Sequence, residues 1–408
     1  MPRRSAVLLA LVCGLLALAF ATAASPASAL DGKTLAAALE KRTATFGSRS
    51  GALVRDLTTG RTLYERRRGL GLAPASNEKL YTTAAAILKY GPNAKLTTTL
   101  RVAPGAVPDE DGVIDGDVIL VGAGDPGFND DAIRNLVGDL KKLGVKRITG
   151  EIKGDGRRFD SKPGSYDTNY RPDSELGGWL GGLTWGHGRV DGFGPAQYAA
   201  SRLRYLLELN KIDVKGGAHS GYAQGTTKRI AAVGSQPIRS IIATTNVPSD
   251  NFYAETLAKD LGASFGDGGT TPEGTHVIRD TLADFGIHPR IFDGSGLSRS
   301  NNTSPSQIVT LLTKMAAHED GAIWRASLPQ PGVSGTLAKR MRGTAAVNRC
   351  RAKTGTLHDV SALSGYCNVP GGHVLAFSFL SNRIDPYYVK SVEDQMVPMI
   401  ASYSPPDD

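Results

Sequence analysis

The chain has 408 residues with a net charge of +8, from 47 Lys and Arg against 39 Asp and Glu, and it is rich in glycine (49) and poor in cysteine (3). That length exceeds what one hydrophobic core usually organises, so two domains, or one domain carrying a large insertion, are expected, and the glycine content implies many tight turns and substantial sheet. No run of five or six basic residues occurs and the aromatics are not interleaved with Lys and Arg, so nucleic acid is excluded as a partner and the basic balance suits an anionic polymer bearing carboxylates or phosphates.

Arg3 and Arg4 precede an apolar run from Ala6 to about Ala21 and the small residues Ala27-Ser28-Ala29. This is the pattern of a secretory signal peptide over residues 1–29, cleaved after Ala29. The run is shorter than the roughly 20 residues a membrane-spanning helix needs. No stable membrane span is therefore expected in the mature chain, which is exported and then extracellular, periplasmic or attached to the cell wall. Its net charge, with the two arginines gone, stays at about +6.

From Ala37 to about Phe46 the pattern is helical, and Gly51 to Leu57 and Thr62 to Glu65 read as a hairpin around Thr58-Thr59-Gly60. Ser76 opens a segment in which Leu80, Ala84, Ile87 and Leu88 recur at helical spacing until Gly91-Pro92, which puts Ser76 at a helix N-terminus. Strands at Thr97 to Val102 and Val118 to Val121, a helix from Asp131 to Leu143, a strand from Lys146 to Lys153, a Gly-rich passage from Gly177 to Gly194 and a helix from Pro195 to about Leu209 form a separate unit. Beyond it, Ile241 to Thr245 reads as a strand, Phe252 to Leu261 and Ser306 to Ala317 as helices, and Cys350 to Lys353, Ser361 to Cys367 and Val374 to Leu380 as strands. These patterns divide the mature chain into a main domain over 30–95 and 240–408 and an inserted domain over 96–239. Cys350 and Cys367 are equidistant from the turn near His358-Asp359, which favours a cross-strand disulfide over two free thiols in an oxidising compartment.

Three short motifs carry chemistry. Ser76-Asn77-Glu78-Lys79 fits S-x-x-K, in which residues three apart on a helix share a face, so the Lys79 amine reaches the Ser76 hydroxyl. Ser249-Asp250-Asn251 puts a hydroxyl and an amide at an exposed corner before a helix, and Lys353-Thr354-Gly355 ends a strand with a fixed charge and residues that permit close backbone approach. Each alone has an ordinary reading, as a helix cap or a solvated edge. Their joint occurrence in this order and context does not.

The set resembles the low-molecular-weight class C penicillin-binding proteins, D-Ala-D-Ala carboxypeptidases and endopeptidases. Similar signatures appear at Gly116-Asp117-Val118 through Gly124-Asp125-Pro126, at Asp293-Gly294-Ser295-Gly296-Leu297-Ser298-Arg299, and from Gly335-Thr336-Leu337 to Ala352-Lys353-Thr354-Gly355-Thr356-Leu357. The resemblance implies an α/β (α+β) fold: a transpeptidase domain of the penicillin-binding and serine β-lactamase kind, its antiparallel sheet flanked by helices, with a large inserted α/β domain between the first two motifs. It implies Ser76 as acylated nucleophile, Lys79 as base and Ser249 as proton carrier. Asn251 would hold the peptide amide, Lys353 and Thr354 the terminal carboxylate, and the backbone N–H groups of Ser76 and Thr356 the oxyanion beside Gly355. The partners implied are peptidoglycan peptides ending in D-Ala-D-Ala, with β-lactams as covalent inhibitors and no metal or organic cofactor. Two features depart from the pattern: the insertion is short, and Asp359 stands where a small or polar residue is expected.

Competing readings are weaker. A class A β-lactamase needs a Glu-x-x-x-Asn pattern that Glu255, Glu273 and Glu319 do not supply. Glu273-Gly-Thr-His276 lacks the further ligands of a metallopeptidase. Gly122-x-Gly124-x-x-Gly127 matches a dinucleotide fingerprint only superficially, with Pro126 inside the turn. A non-catalytic wall-binding protein that kept the fold would have no need of three intact motifs.

Overall fold

The computed structural model describes residues 30–222 and 225–406; the leader expected over residues 1–29 lies outside them. Helix α1 (Gly32–Thr43) starts earlier than its apolar pattern suggests, because Asp31 accepts the Thr34 amide at 2.7 Å and caps it. A hairpin of β1 (Ser50–Asp56) and β2 (Thr62–Arg66) follows, then a tight turn (Ala75–Glu78) that runs into α2 (Lys79–Tyr90). Next come β3 (Thr97–Val102), β4 (Val113–Ile114), β5 (Val118–Val121), α3 (Asp130–Lys142), β6 (Arg147–Ile148), β7 (Ile152–Asp155), α4 (Pro195–Leu209), β8 (Asp213–Val214), β9 (Ala218–Ser220) and β10 (Lys228–Gly234). The chain returns through α5 (Ile238–Asn246), α6 (Asn251–Phe265), α7 (Thr271–Ala283), α8 (Pro305–Ala317) and α9 (Gly321–Ala326). It ends with β11 (Cys350–Leu357), β12 (Val360–Asn368), β13 (Val374–Asn382) and α10 (Pro386–Ala401).

The main sheet has the order β11-β12-β13-β1-β2 with every neighbouring pair antiparallel. Side chains alternate across its two faces, as a strand requires. Ala362 and Tyr366 of β12 and Ala376 and Leu380 of β13 face a core built with α2, α5, α6, α7 and α8. Leu363, Leu375, Phe377 and Phe379 point the other way, against α1 and α10. The sulfurs of Cys350 and Cys367 are bonded across the directly opposed ends of β11 and β12.

Residues between the first and second motifs build a second five-stranded sheet, β10-β3-β5-β7-β9, and a small parallel one, β4-β6-β8. With α3 and α4 they enclose a hydrophobic core drawn from residues between Leu100 and Ala231.

Two elements differ from the sequence reading. The strand expected at Ile241 to Thr245 is part of α5. Ile238, Ile241, Ile242 and Thr245 are all buried, at spacings of three, four and seven, which is a helical face; a five-residue run with four β-branched residues is too short to separate that from a buried strand. The strand expected from Lys146 to Lys153 is split between β6 and β7, in different sheets. The break falls at Gly150, where any Cβ would run into the Gly116 backbone.

Candidate active site

The first motif is wedged between two backbones. A Cβ on Gly355 of β11 would lie 2.6 Å from Pro74 O and 3.1 Å from Ser76 N, and one on Gly296 would collide with Ala75 O. Ala75, squeezed between them, has φ +47°, a left-handed conformation that non-glycine residues rarely hold. The turn is further pinned by Asn77 Nδ2, which donates to Ser364 Oγ on β12 at 2.8 Å. Ser76 is left half-buried at the mouth, with Lys79 fully buried one turn below it.

Lys79 Nζ lies 3.1 Å from Ser76 Oγ, 2.7 Å from Asn251 Oδ1 and 2.7 Å from Ser295 O. The last two are acceptors only. When the amine is neutral its two N–H bonds go to them, and the lone pair that remains faces the Ser76 hydroxyl. Burial favours that form and lowers Lys79 to about 8, although Asp293, Glu255, Asp250 and Glu78 pull the other way.

The second and third motifs meet at one hydrogen bond: Lys353 Nζ donates to Ser249 Oγ at 2.8 Å and to Thr354 O at 2.9 Å, and when charged it has a third N–H available. Lys353 is fully buried, and burial together with the nearby Lys79 holds it well below the ordinary lysine range. Thr354 Oγ1 donates to Thr336 Oγ1 at 2.7 Å, which ties in the Gly335-Thr336-Leu337 segment. Thr356 is exposed at the outer end of β11. Ser249, at φ +67°, is turned out of the chain's normal path toward Lys353. Its hydroxyl partner is Lys353.

Sequence reasoning missed the layer beneath Lys79. Glu78, Glu255 and Asp293 are all fully buried there. Glu255 Oε1 accepts from Gly294 N at 3.0 Å and Ser295 N at 2.8 Å, and Asp293 accepts from Gly296 N, Ser298 N and Asn301 Nδ2. These two carboxyls therefore shape the loop whose Ser295 carbonyl holds the lysine. Glu78 has no hydrogen-bond partner on either oxygen. Burial, and then repulsion from Asp293 and Glu255, push it well above the usual carboxylate range. The signal was present, since Glu78 lies inside the first motif and Glu255 stands one turn after Asn251, but a charged residue one turn along a helix is ordinarily on a solvated face. Asp359, the unusual residue after β11, pairs with the Arg299 guanidinium.

This layer sets a pH dependence of stability. Glu255 is raised to about 7 by burial and by Asp293, above its unfolded value of about 4.3. The proton is thus bound more tightly in the folded state. The contribution is full below the unfolded pKa and is lost as pH rises through about 7. Its ceiling is on the order of 3 kcal/mol. We expect the melting midpoint of the parent to fall between pH 5 and 8 more steeply than that of Glu255→Gln, which keeps an acceptor for Gly294 and Ser295. Equal slopes in the two proteins would remove Glu255 as the cause.

A sequence model described as the D-Ala-D-Ala carboxypeptidase 3 (S13) family matches residues 32–173 and 189–403. The chain belongs to that family. As a member of the D-Ala-D-Ala carboxypeptidase family it is a serine-type DD-peptidase, a hydrolase. A D-alanyl-D-alanine carboxypeptidase from an Actinomadura species is 29% identical to it over 450 residues, covering 88% of this chain and 82% of the relative. The crystal structure of penicillin binding protein 4 (dacB) from Haemophilus influenzae superimposes with a TM-score of 0.74 at 20% identity, covering 88% of this chain and 99% of the other. A predatory endopeptidase from Bdellovibrio bacteriovorus, acylated by penicillin G and in complex with an immunity protein, has a TM-score of 0.55 at 15% identity, covering 85% and 90%. These structural likenesses establish the penicillin-binding fold with an extra domain. Among the described residues no helix is long and apolar enough to cross a membrane, and no group of three or more His, Cys, Asp or Glu side chains offers a metal site.

Proposed function

We propose that the protein cleaves D-alanyl-D-alanine bonds of peptidoglycan stem peptides through an acyl-enzyme on Ser76, as carboxypeptidase and as endopeptidase, and that penicillins acylate the same atom. The observation that carries this reading is the contact of Lys79 Nζ with Ser76 Oγ, in a setting where the amine's other two partners can only accept. Ser76 Oγ attacks the carbonyl between the two D-alanines and its proton passes to Lys79. The oxyanion lies between the backbone N–H groups of Ser76 and Thr356, at the N-terminal end of α2. Ser249 hands its proton to the departing D-alanine amine and takes in return the one that Lys79 received from Ser76; its link to Lys353 orients the hydroxyl for this. Lys353 and Thr354 hold the terminal carboxylate, the free N–H of Asn251 holds the peptide carbonyl, and Gly355 lets the substrate backbone lie flat on β11. Water then releases the shortened peptide.

In this reading residues 96–239 are an inserted domain between residues 30–95 and 240–408 of the catalytic one. Residues 1–29 direct export across the cytoplasmic membrane, and the protein works outside it against an anionic wall polymer.

The test is brief exposure of the purified mature protein to benzylpenicillin, followed by intact mass and peptide mapping. A gain of one drug mass on the peptide containing Ser76, together with D-alanine release from a D-Ala-D-Ala peptide, is the expected result. A protein that gains no mass and releases no D-alanine is a wall-binding protein instead.

A further inference from the structure

The family match leaves one internal gap, residues 174–188, and this segment rests on the second motif. Its Glu175 carbonyl accepts a hydrogen bond from Asn251 Nδ2 at 2.8 Å. Leu176 and Leu180 bury themselves against Phe252 on the first turn of α6. His187 stacks on the Phe252 ring at 4.4 Å and places Nε2 2.9 Å from Asp250 Oδ2 and Nδ1 3.3 Å from the Gly177 carbonyl. Asp250 uses its other oxygen to cap α6 through Tyr253 N.

The backbone is forced to make these contacts. Gly186, His187 and Gly188 are all left-handed, with φ +56°, +65° and +66°, and a Cβ on Gly188 would meet Phe252 and the Trp179 backbone. A non-glycine residue held in that region persists only when its surroundings fix it, and such residues gather at functional sites. Both partners of the imidazole are acceptors, so the doubly protonated ring satisfies both. The hydrogen bond to Asp250 raises His187 above its ordinary value, in keeping with that form.

We propose that His187 is a positioning residue for the reaction at Ser76: by gripping Asp250 it seats residues 174–188 on the second motif, so that the Glu175 carbonyl dictates which edge of the Asn251 amide faces Lys79. An amide can flip end for end. Flipped, Asn251 would present an N–H to the lysine amine and cancel the arrangement that leaves the Lys79 lone pair on Ser76. The Glu175 carbonyl takes one of the two hydrogens on Nδ2 and leaves the other for substrate, and only the orientation with Oδ1 toward Lys79 satisfies both neighbours. Residues outside the family match thus complete the second motif of this chain.

The inference rests on the acyl-serine reading above, and the experiment separates the two. The bimolecular rate constant for acylation by benzylpenicillin, kcat and KM on a D-Ala-D-Ala peptide, and the melting midpoint are measured for the parent, His187→Ala and His187→Gln. His187→Ala is expected to slow acylation about 10- to 100-fold, the scale of a small misplacement of a catalytic group, with the loss in kcat more than in KM. His187→Gln keeps an N–H for Asp250 and is expected to recover to within a few-fold of the parent. Acylation by His187→Ala within twofold of the parent overturns the inference. So does a Gln variant as slow as the Ala variant. If the parent itself is not acylated, the reading of Ser76 fails first.

Discussion

Replacing Ser76 by Ala is expected to abolish covalent capture of benzylpenicillin and to lower D-alanine release by about four to six orders of magnitude, the range seen when an enzyme loses its nucleophile. The hydroxyl makes one polar contact, with Lys79 Nζ at 3.1 Å, and the turn that carries it is set by Gly355, Gly296 and Asn77 rather than by the hydroxyl. An alanine therefore keeps the backbone. The cost in stability is confined to the one hydrogen bond between the hydroxyl and Lys79, on the order of 1 kcal/mol, whichever of the two donates it. Folding and catalysis should consequently separate cleanly, with a melting midpoint close to the parent's and no drug adduct in the mass spectrum. The other hydroxyl beside a buried amine is Ser249, on Lys353. An adduct that persists in Ser76→Ala and maps to Ser249 would transfer the nucleophile's role to the second motif.

The Ser76–Lys79 contact and the three motifs were legible because they are short, ordered and tied to local geometry: three residues apart on a helix start, a loop before a helix, and a strand, although β11 runs on past Lys353-Thr354-Gly355 to Leu357. The penicillin-binding fold followed from the motifs rather than from the periodicity of the elements, which misread Ile241 to Thr245 as a strand. What sequence could not show is how the motifs touch. The buried carboxyls of Glu78, Glu255 and Asp293 come from three separate segments and meet only because α2, α6 and the Asp293 loop pack face to face. His187 lies 63 residues from Asp250, in a passage that reads simply as Gly-rich loop. Asp359 stood out as an unusual residue, yet its partner Arg299 is 60 residues away. Contacts of that kind are tertiary, and no local pattern encodes them.

The second large effect concerns Lys79. Lys79→Met fills the same buried volume without an amine and is expected to slow acylation by about 10²- to 10⁴-fold, the usual worth of a general base. In the parent, acylation should rise with pH as the amine, lowered by burial to about 8, loses its proton; in Lys79→Met that limb should vanish. The position of the limb carries further information, because the two buried lysines stand in opposite fields. Lys79 faces Glu78, Glu255, Asp293 and Asp250, all of which favour its charge, whereas Lys353 is lowered by burial and by Lys79 with no carboxylate to oppose them. Before substrate arrives, the field therefore holds the proton on Lys79 and discourages one on Lys353, the reverse of what the reaction needs. A substrate carboxylate beside Lys353 raises that lysine's pKa, and the charge it gains pushes the Lys79 pKa down. The acid limb of kcat, which reports the enzyme with substrate bound, should then lie at lower pH than the acid limb of kcat/KM, which reports the free enzyme. Acylation that keeps a limb near 8 in Lys79→Met would assign that titration to another group, and coincident limbs in the parent would mean that the carboxylate does not act on Lys79 through Lys353.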